Sequence, residues 1–213
     1  MTRTVVAFDF DGTLTRRDTL IPFLVRVCGR AAVLRASASV GSRFATTLSL
    51  DMNTLRGGLK DQLLVRLLAG RPASELVLAG QRYAHELLAD RLRSSSYQLW
   101  EDHAAAGHEL VIVSASLEVY VDPLARLLGG RAGLGSRLEV VDGLLSGHLD
   151  GRNNRGPEKV HRLDEWLRET AADPHEAGEA GDPEDVEVFA YGDSSGDDEL
   201  LARADHGVRV AHR

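Results

Sequence analysis

The stretch Val5-Val6-Ala7-Phe8-Asp9-Phe10-Asp11-Gly12-Thr13-Leu14-Thr15 decides how the chain is read. It opens as a short apolar run with β-branched and aromatic side chains, the pattern of a buried strand. Two carboxylates follow at the strand's C-terminal end, and Gly12-Thr13 turns the chain at once. Ligands of open α/β sheets bind outside the carboxyl ends of the strands. On an extended strand, side chains two apart share a face, so Asp9 and Asp11 are expected to converge on one small volume. Carboxylates that close repel each other unless a proton or cation separates them. Mg²⁺ suits hard oxygen ligands and binds through one or two carboxylates plus substrate phosphate. The plainer alternative is a pair of acids capping a strand-to-helix turn.

Working outward, residues 20 to 95 read as about four helices with no convincing strand, broken at Gly29, Gly57-Gly58 and Gly70-Arg71-Pro72. Arg17 or Asp18 could cap the first of them. Helical spacing returns over Tyr97–Ala106. Then Glu109–Ser116 reads as a second buried strand, ending in the hydroxyls of Ser114 and Ser116. Leu117–Leu128 is helical and stops at Gly129-Gly130. Leu138–Val141 is a short strand, and Leu144–Leu149 reads as a hairpin turning at Ser146-Gly147. Pro157 opens a helix carrying Lys159 in its first turn. Residues 171–185, rich in Asp, Glu, Gly, Pro and Ala, read as a mobile surface loop. Val186–Tyr191 is a third buried strand, running into Gly192-Asp193-Ser194-Ser195-Gly196-Asp197-Asp198. A short helix and a last strand at 207–210 finish the pattern. Strands alternating with helices imply a Rossmann-like, doubly wound parallel sheet of the α/β class.

Three apolar strands thus end in polar clusters, Asp9/Asp11, Ser114/Ser116 and Asp193/Asp197, and parallel strands would bring the tips to one edge. Ser116 reads as a cap for the following helix, and Lys159 alone would read as a solvated helix lysine. His103 and His108 read as surface residues, Trp100 and Trp166 as packing. Net charge is −7, which disfavours binding to a nucleic acid backbone. The single cysteine, Cys28, lies in an apolar run and reads as a buried core thiol. No signal peptide or membrane-length apolar run is visible, so a cytoplasmic location is expected. Oligomeric state cannot be read.

At this point the residues resemble a family. Asp9-Phe10-Asp11-Gly12-Thr13 resembles the first motif of the haloacid dehalogenase superfamily of phosphohydrolases. Val111-Ile112-Val113-Ser114 is similar to its second, Lys159 to its third, and Gly192-Asp193-Ser194-Ser195-Gly196-Asp197 to its fourth. The order is the family's, and the helical insertion resembles a C1-type cap of the phosphoserine-phosphatase-like family IB. The resemblance implies a core of residues 1–16 and 96–213 and a cap of residues 17–95. It implies a Mg²⁺-dependent phosphatase acting on a small phosphorylated metabolite through an aspartyl-phosphate. Asp9 would be the nucleophile and Asp11 the acid and base. Mg²⁺ would be held by Asp9, the backbone carbonyl of Asp11, and Asp193, with Asp197 in support. Ser114 and Lys159 would bind the phosphoryl oxygens. Phosphoserine phosphatases carry an early cap Glu and a deeper Arg. Asp18 stands at the matching early position, and Arg56 is the candidate for the deeper cation, with Lys60 or Arg66 as alternatives. A phosphotransferase or mutase using the same intermediate, and a catalytically silent phosphate-binding module, are the rival readings.

Overall fold

The computed structural model describes residues 3–44, 52–172 and 186–211. Its centre is a five-stranded, all-parallel sheet. The strands are β1 (Arg3–Phe8), β2 (Glu109–Leu117), β3 (Ala132–Ser136), β6 (Val186–Gly192) and β7 (His206–Arg209), in the order β3-β2-β1-β6-β7. The alternation of β1 explains the layers. Val6 and Phe8 face one apolar cluster, with Trp100, Tyr120 and Leu124. Val5 and Ala7 face the other, with Leu163, Leu167 and Leu200. A strand buried on both faces needs helices on both sides, which is the doubly wound arrangement.

On the first side lie α5 (Ser94–Ala105) and α6 (Glu118–Leu127); on the second lie α7 (Pro157–Ala172) and α8 (Asp198–Arg203). The Trp100 ring is fully buried, and its N–H donates to the carbonyl of Leu128 at 3.0 Å. Trp166 takes the Arg3 guanidinium over its ring at 5.4 Å. Both tryptophans pack, as expected. Cys28 is only partly buried, and its thiol donates to the Leu67 carbonyl at 3.5 Å. The order of the strands reverses at β1, whose neighbours are β2 and β6, and that is where such sheets open a crevice.

The insertion between β1 and β2 contains α1 (Leu20–Cys28), α2 (Arg30–Phe44), α3 (Met52–Leu68) and α4 (Ala73–Asp90). It leaves and rejoins the sheet through one neck: Arg16 N–H donates to Arg91 O at 3.2 Å, and Arg93 N–H to Leu14 O at 2.8 Å. The expected surface loop at 171–185 lies outside the described residues except for Ala171 and Ala172, which end α7.

α3 runs unbroken through Gly57-Gly58, which the sequence reads as a break, and two further elements differ from the sequence expectation. The hairpin is formed by β4 (Leu138–Val141) and β5 (Leu144–Leu149), and it turns at Asp142-Gly143 rather than Ser146-Gly147. Both turn residues have positive φ, 51° and 79°, as a type I′ connection requires. Gly147 serves a different need: a Cβ there would stand 2.5 Å from Val65 Cα on α3. The hairpin is also tied to the insertion, since Gly70 N–H donates to Leu145 O and Leu145 N–H to Arg71 O, each at 2.8 Å. The second of these is β3, which carries little β-propensity. Its Gly133 and Gly135 lie directly against the backbone of α6, where a Cβ would meet Asp122 Cα at 2.4 Å and Glu118 Cα at 2.5 Å. Close helix packing selects glycine there and hides the strand from pattern reading.

Candidate active site

Asp9 is the first residue beyond β1. Its N–H donates to Tyr191 O at 2.8 Å, extending the pairing with β6 by one rung and fixing the carboxylate at the sheet edge. That carboxylate is buried. Lys159 Nζ donates to Oδ1 at 2.5 Å, and the Thr13 hydroxyl donates to Oδ2 at 2.9 Å. Thr13 Oγ1 also lies 3.5 Å from Asp193 Oδ1. Gly12 turns with φ +94°, and a Cβ there would meet Asp193 Oδ2 at 2.3 Å. The loop after β1 therefore closes directly onto the loop after β6.

Lys159 is no solvated lysine. It is 2% exposed, and it bridges Asp9 to Asp197, with Nζ donating to Asp197 Oδ1 at 2.6 Å. The other Asp197 oxygen accepts from the backbone N–H and the hydroxyl of Ser194, both at 3.0 Å. Burial pushes the Asp9 carboxyl up, to about 6, with the Lys159 ammonium pulling against it. Burial would lower Lys159, yet Asp9 and Asp197 outweigh it and hold the ammonium above its ordinary value. Burial likewise opposes ionisation of Asp197, but Lys159 and the Ser194 donors prevail and keep it low. Oxygens of Asp9, Asp193 and Asp197 lie within 4.8 Å of one another.

Asp11 departs from expectation. The strand ends at Phe8, so alternation no longer applies, and the Asp11 carboxylate is not part of that acidic group. Its Oδ2 accepts from the Ser116 hydroxyl at 2.5 Å and its Oδ1 from the Thr19 N–H at 2.9 Å. Burial raises its carboxyl to about 7, with the Ser116 bond opposing and the Asp18 charge adding. Ser114 is buried, and its Oγ accepts from Ser116 N–H at 2.9 Å. Ser116 is not a cap: α6 has Leu117 at its N-cap, with no side-chain capping bond.

Asp18 is exposed and accepts from Ile21 N–H at 3.3 Å; it lies one residue before Thr19, the N-cap of α1. The side chain of Arg56 lies outside the described residues. Lys60, its alternative, is partly buried on α3 and reaches the core, donating to Ala115 O at 2.5 Å, Asn153 Oδ1 at 2.5 Å and Ser136 Oγ at 3.3 Å. Burial lowers its ammonium to about 8. Arg66, the other alternative, is exposed and donates to Ser39. His103 and His108 are not simply surface residues. Their Nδ1 atoms lie 2.8 Å apart, His103 Nε2 lies 2.8 Å from the Tyr191 hydroxyl, and both rings contact Phe189. Their signal is spacing: the four residues between them span the turn from α5 into β2, which folds one ring onto the other.

The family described as haloacid dehalogenase-like hydrolase matches residues 6–202 of this sequence. The chain belongs to that family. The chain is 35% identical over 208 residues to Protein CicA of Caulobacter vibrioides, covering 97% of this chain and 86% of that protein. It is 26% identical to the phosphoserine phosphatase of Archaeoglobus fulgidus over 96% of this chain, though over only 51% of that protein. Among solved structures, a Bordetella pertussis protein of unknown function superposes with a TM-score of 0.70 at 22% identity, covering 95% of this chain and 87% of the other. A phosphoserine phosphatase captured as a phospho-aspartyl intermediate analogue superposes at 0.58 with 20% identity, covering 99% and 87%. These solved structures share the fold of this chain, a parallel sheet with flanking helices. Among the described residues no helix is long and apolar enough to cross a membrane.

Proposed function

We propose that this chain is a Mg²⁺-dependent phosphatase that hydrolyses a small phosphomonoester through an aspartyl-phosphate on Asp9. The observation that carries the proposal is the setting of Asp9: a buried carboxylate at the switch point, held by Lys159 and Thr13 and flanked by Asp193. The resemblance to phosphoserine phosphatases makes a phosphoserine-like ester the first substrate to test.

The donor set fits the cation. Hard carboxylate oxygens lie close together, and the loop at Gly12 has no side chain to crowd Asp193. Asp9, Asp193 and the carbonyl of Asp11 would hold Mg²⁺, which when bound offsets negative charge on the phosphoryl oxygens. Asp197, spent on Lys159 and Ser194, supports the site rather than ligating.

In the first step an Asp9 oxygen attacks phosphorus in line, the ester P–O bond breaks, and the leaving oxygen takes the Asp11 proton. In the second, Asp11 removes a proton from water, the water oxygen attacks phosphorus, and Asp9 is released with inorganic phosphate. A carboxyl raised to about 7 can both give and take a proton near neutrality. Lys159 and Ser114 would hold phosphoryl oxygens, and positioning with charge neutralisation supplies most of the catalysis.

Residues 17–95 would act as the cap that excludes water. In support, Lys60 docks on the carbonyl of Ala115, between Ser114 and Ser116. Asp18 is close enough to act electrostatically on both Asp11 and Lys60, so with Arg56 it is a proposed contact to the rest of the substrate. The cytoplasm is the proposed compartment.

A panel of phosphorylated metabolites, assayed for phosphate release with Mg²⁺ and no added acceptor, tests this reading. Release from at least one ester, abolished by chelation and restored by Mg²⁺, is expected. Phosphate release indifferent to chelation contradicts the metal assignment, and none from any ester contradicts the phosphatase reading.

A further inference from the structure

Ser116 has a geometry that neither capping nor ligand binding explains. It is 4% exposed, the last residue but one of β2 before α6, and its hydroxyl proton is committed to Asp11 Oδ2 at 2.5 Å. Thr19 N–H occupies the other Asp11 oxygen at 2.9 Å. The carboxyl is therefore gripped from two sides, by β2 of the sheet and by the segment entering the insertion. The Thr19 hydroxyl lies 3.4 Å from Ser116 Oγ and donates to Tyr120 Oη at 3.3 Å, while the Tyr83 hydroxyl donates to Thr19 O at 3.0 Å. Tyr83 belongs to α4 of the insertion and Tyr120 to α6 of the core, and their rings meet edge to face at 5.3 Å. Phe10 and Phe23 complete the aromatic wall.

The structure assigns Ser116 as the positioning residue that aims the Asp11 carboxyl at the leaving oxygen. The assignment rests on the proposed role of Asp11 as proton donor. A carboxyl off its productive direction by a fraction of an ångström loses most of its value as an acid. Ser116 carries no charge, and its hydroxyl is bonded to Asp11, so its loss acts through Asp11. The Ser114 side chain, two residues earlier, accepts from Ser116 N–H, which fixes the backbone from which the hydroxyl reaches.

The test is the dependence on leaving group. An acidic phenol departs without help, whereas an alkyl alcohol needs a proton. In the full chain, Ser116→Ala should lower kcat/KM, which reads the step that expels the leaving group and not the later hydrolysis common to all esters, by about 30-fold on alkyl phosphates, within the range for a misplaced general acid, and by less than about 3-fold on p-nitrophenyl phosphate. Ser116→Thr, which keeps the hydroxyl, should restore alkyl turnover. Should Ser116→Ala not fold, Ser116→Cys removes the strong donor at similar volume and is read on the same series. An equal loss on both esters, or no loss on either, overturns the assignment while leaving the phosphatase reading intact. A wild-type chain inert on every ester overturns both.

Discussion

Lys159 Nζ lies 2.5 Å from Asp9 Oδ1, although 150 residues separate the two in sequence. The same ammonium lies 2.6 Å from Asp197 Oδ1, so one buried cation joins the ends of β1 and β6 through α7. Breaking such an arrangement by removing one partner leaves buried charge uncompensated.

Lys159→Met should therefore destabilise the fold by about 3 kcal/mol, the scale for removing one member of a buried ion pair. Turnover should fall by at least about 100-fold, since a donor aimed at developing charge is lost too. Urea unfolding at neutral pH and steady-state phosphate release measure the two effects. An unchanged unfolding midpoint would remove Lys159 from the structural role given to it.

Gly12→Ala tests the close approach of two loops. The residue sits at φ +94°, and its Cβ would stand 2.3 Å from Asp193 Oδ2. Alanine pays the left-handed backbone penalty, about 1 kcal/mol or more, and pushes Asp193 aside. The Mg²⁺ concentration for half-maximal turnover should rise about 10-fold or more, the scale for disturbing the support of a metal ligand. A variant with unchanged Mg²⁺ dependence would show that Asp193 does not hold the ion.

The His103–His108 contact makes stability fall on the acid side. Burial, then the neighbouring His108, lower the His103 pKa below the ordinary 6.5 of the unfolded chain. Below that value the unfolded chain binds more protons than the folded one, so stability rises with pH and is lost as pH falls through the window under 6.5. His103→Phe keeps the ring packing on Phe189 and Tyr191 and removes the titration. Urea midpoints at pH values on either side of that window should shift less in the variant than in the wild type. Equal shifts would contradict the coupling.

Much of this is legible in the sequence for a physical reason. Val5–Phe8 of β1 and Leu110–Val113 of β2 are buried on both faces, so each strand carries a continuous apolar run, and the polar tips of β1, β2 and β6 stand out. The elements that escape are set by contacts far along the chain. β3 is a strand because Gly133 and Gly135 let it lie on α6, and glycine carries no strand signal. Asp142-Gly143 and Ser146-Gly147 both resemble turns, and only the packing of Gly147 on α3 separates them. Ser116 reads as a cap because Ser favours helix starts, but its hydroxyl is taken by Asp11, 105 positions earlier. Asp9 and Asp11 are recognisable as a pair, while their divergence follows from where β1 stops. Lys159 alone reads as a solvated helix lysine, because the partners that bury it lie in other segments.

The most direct measurement is the location of the covalent phosphate. Enzyme mixed with a radiolabelled phosphomonoester and Mg²⁺, quenched in acid within a turnover, should carry acid-stable label on the peptide containing Asp9. Asp9→Asn, shown to be folded by its cooperative urea unfolding, should carry none and release no phosphate. Label on another residue, or substantial turnover by Asp9→Asn, would contradict Asp9 as the nucleophile.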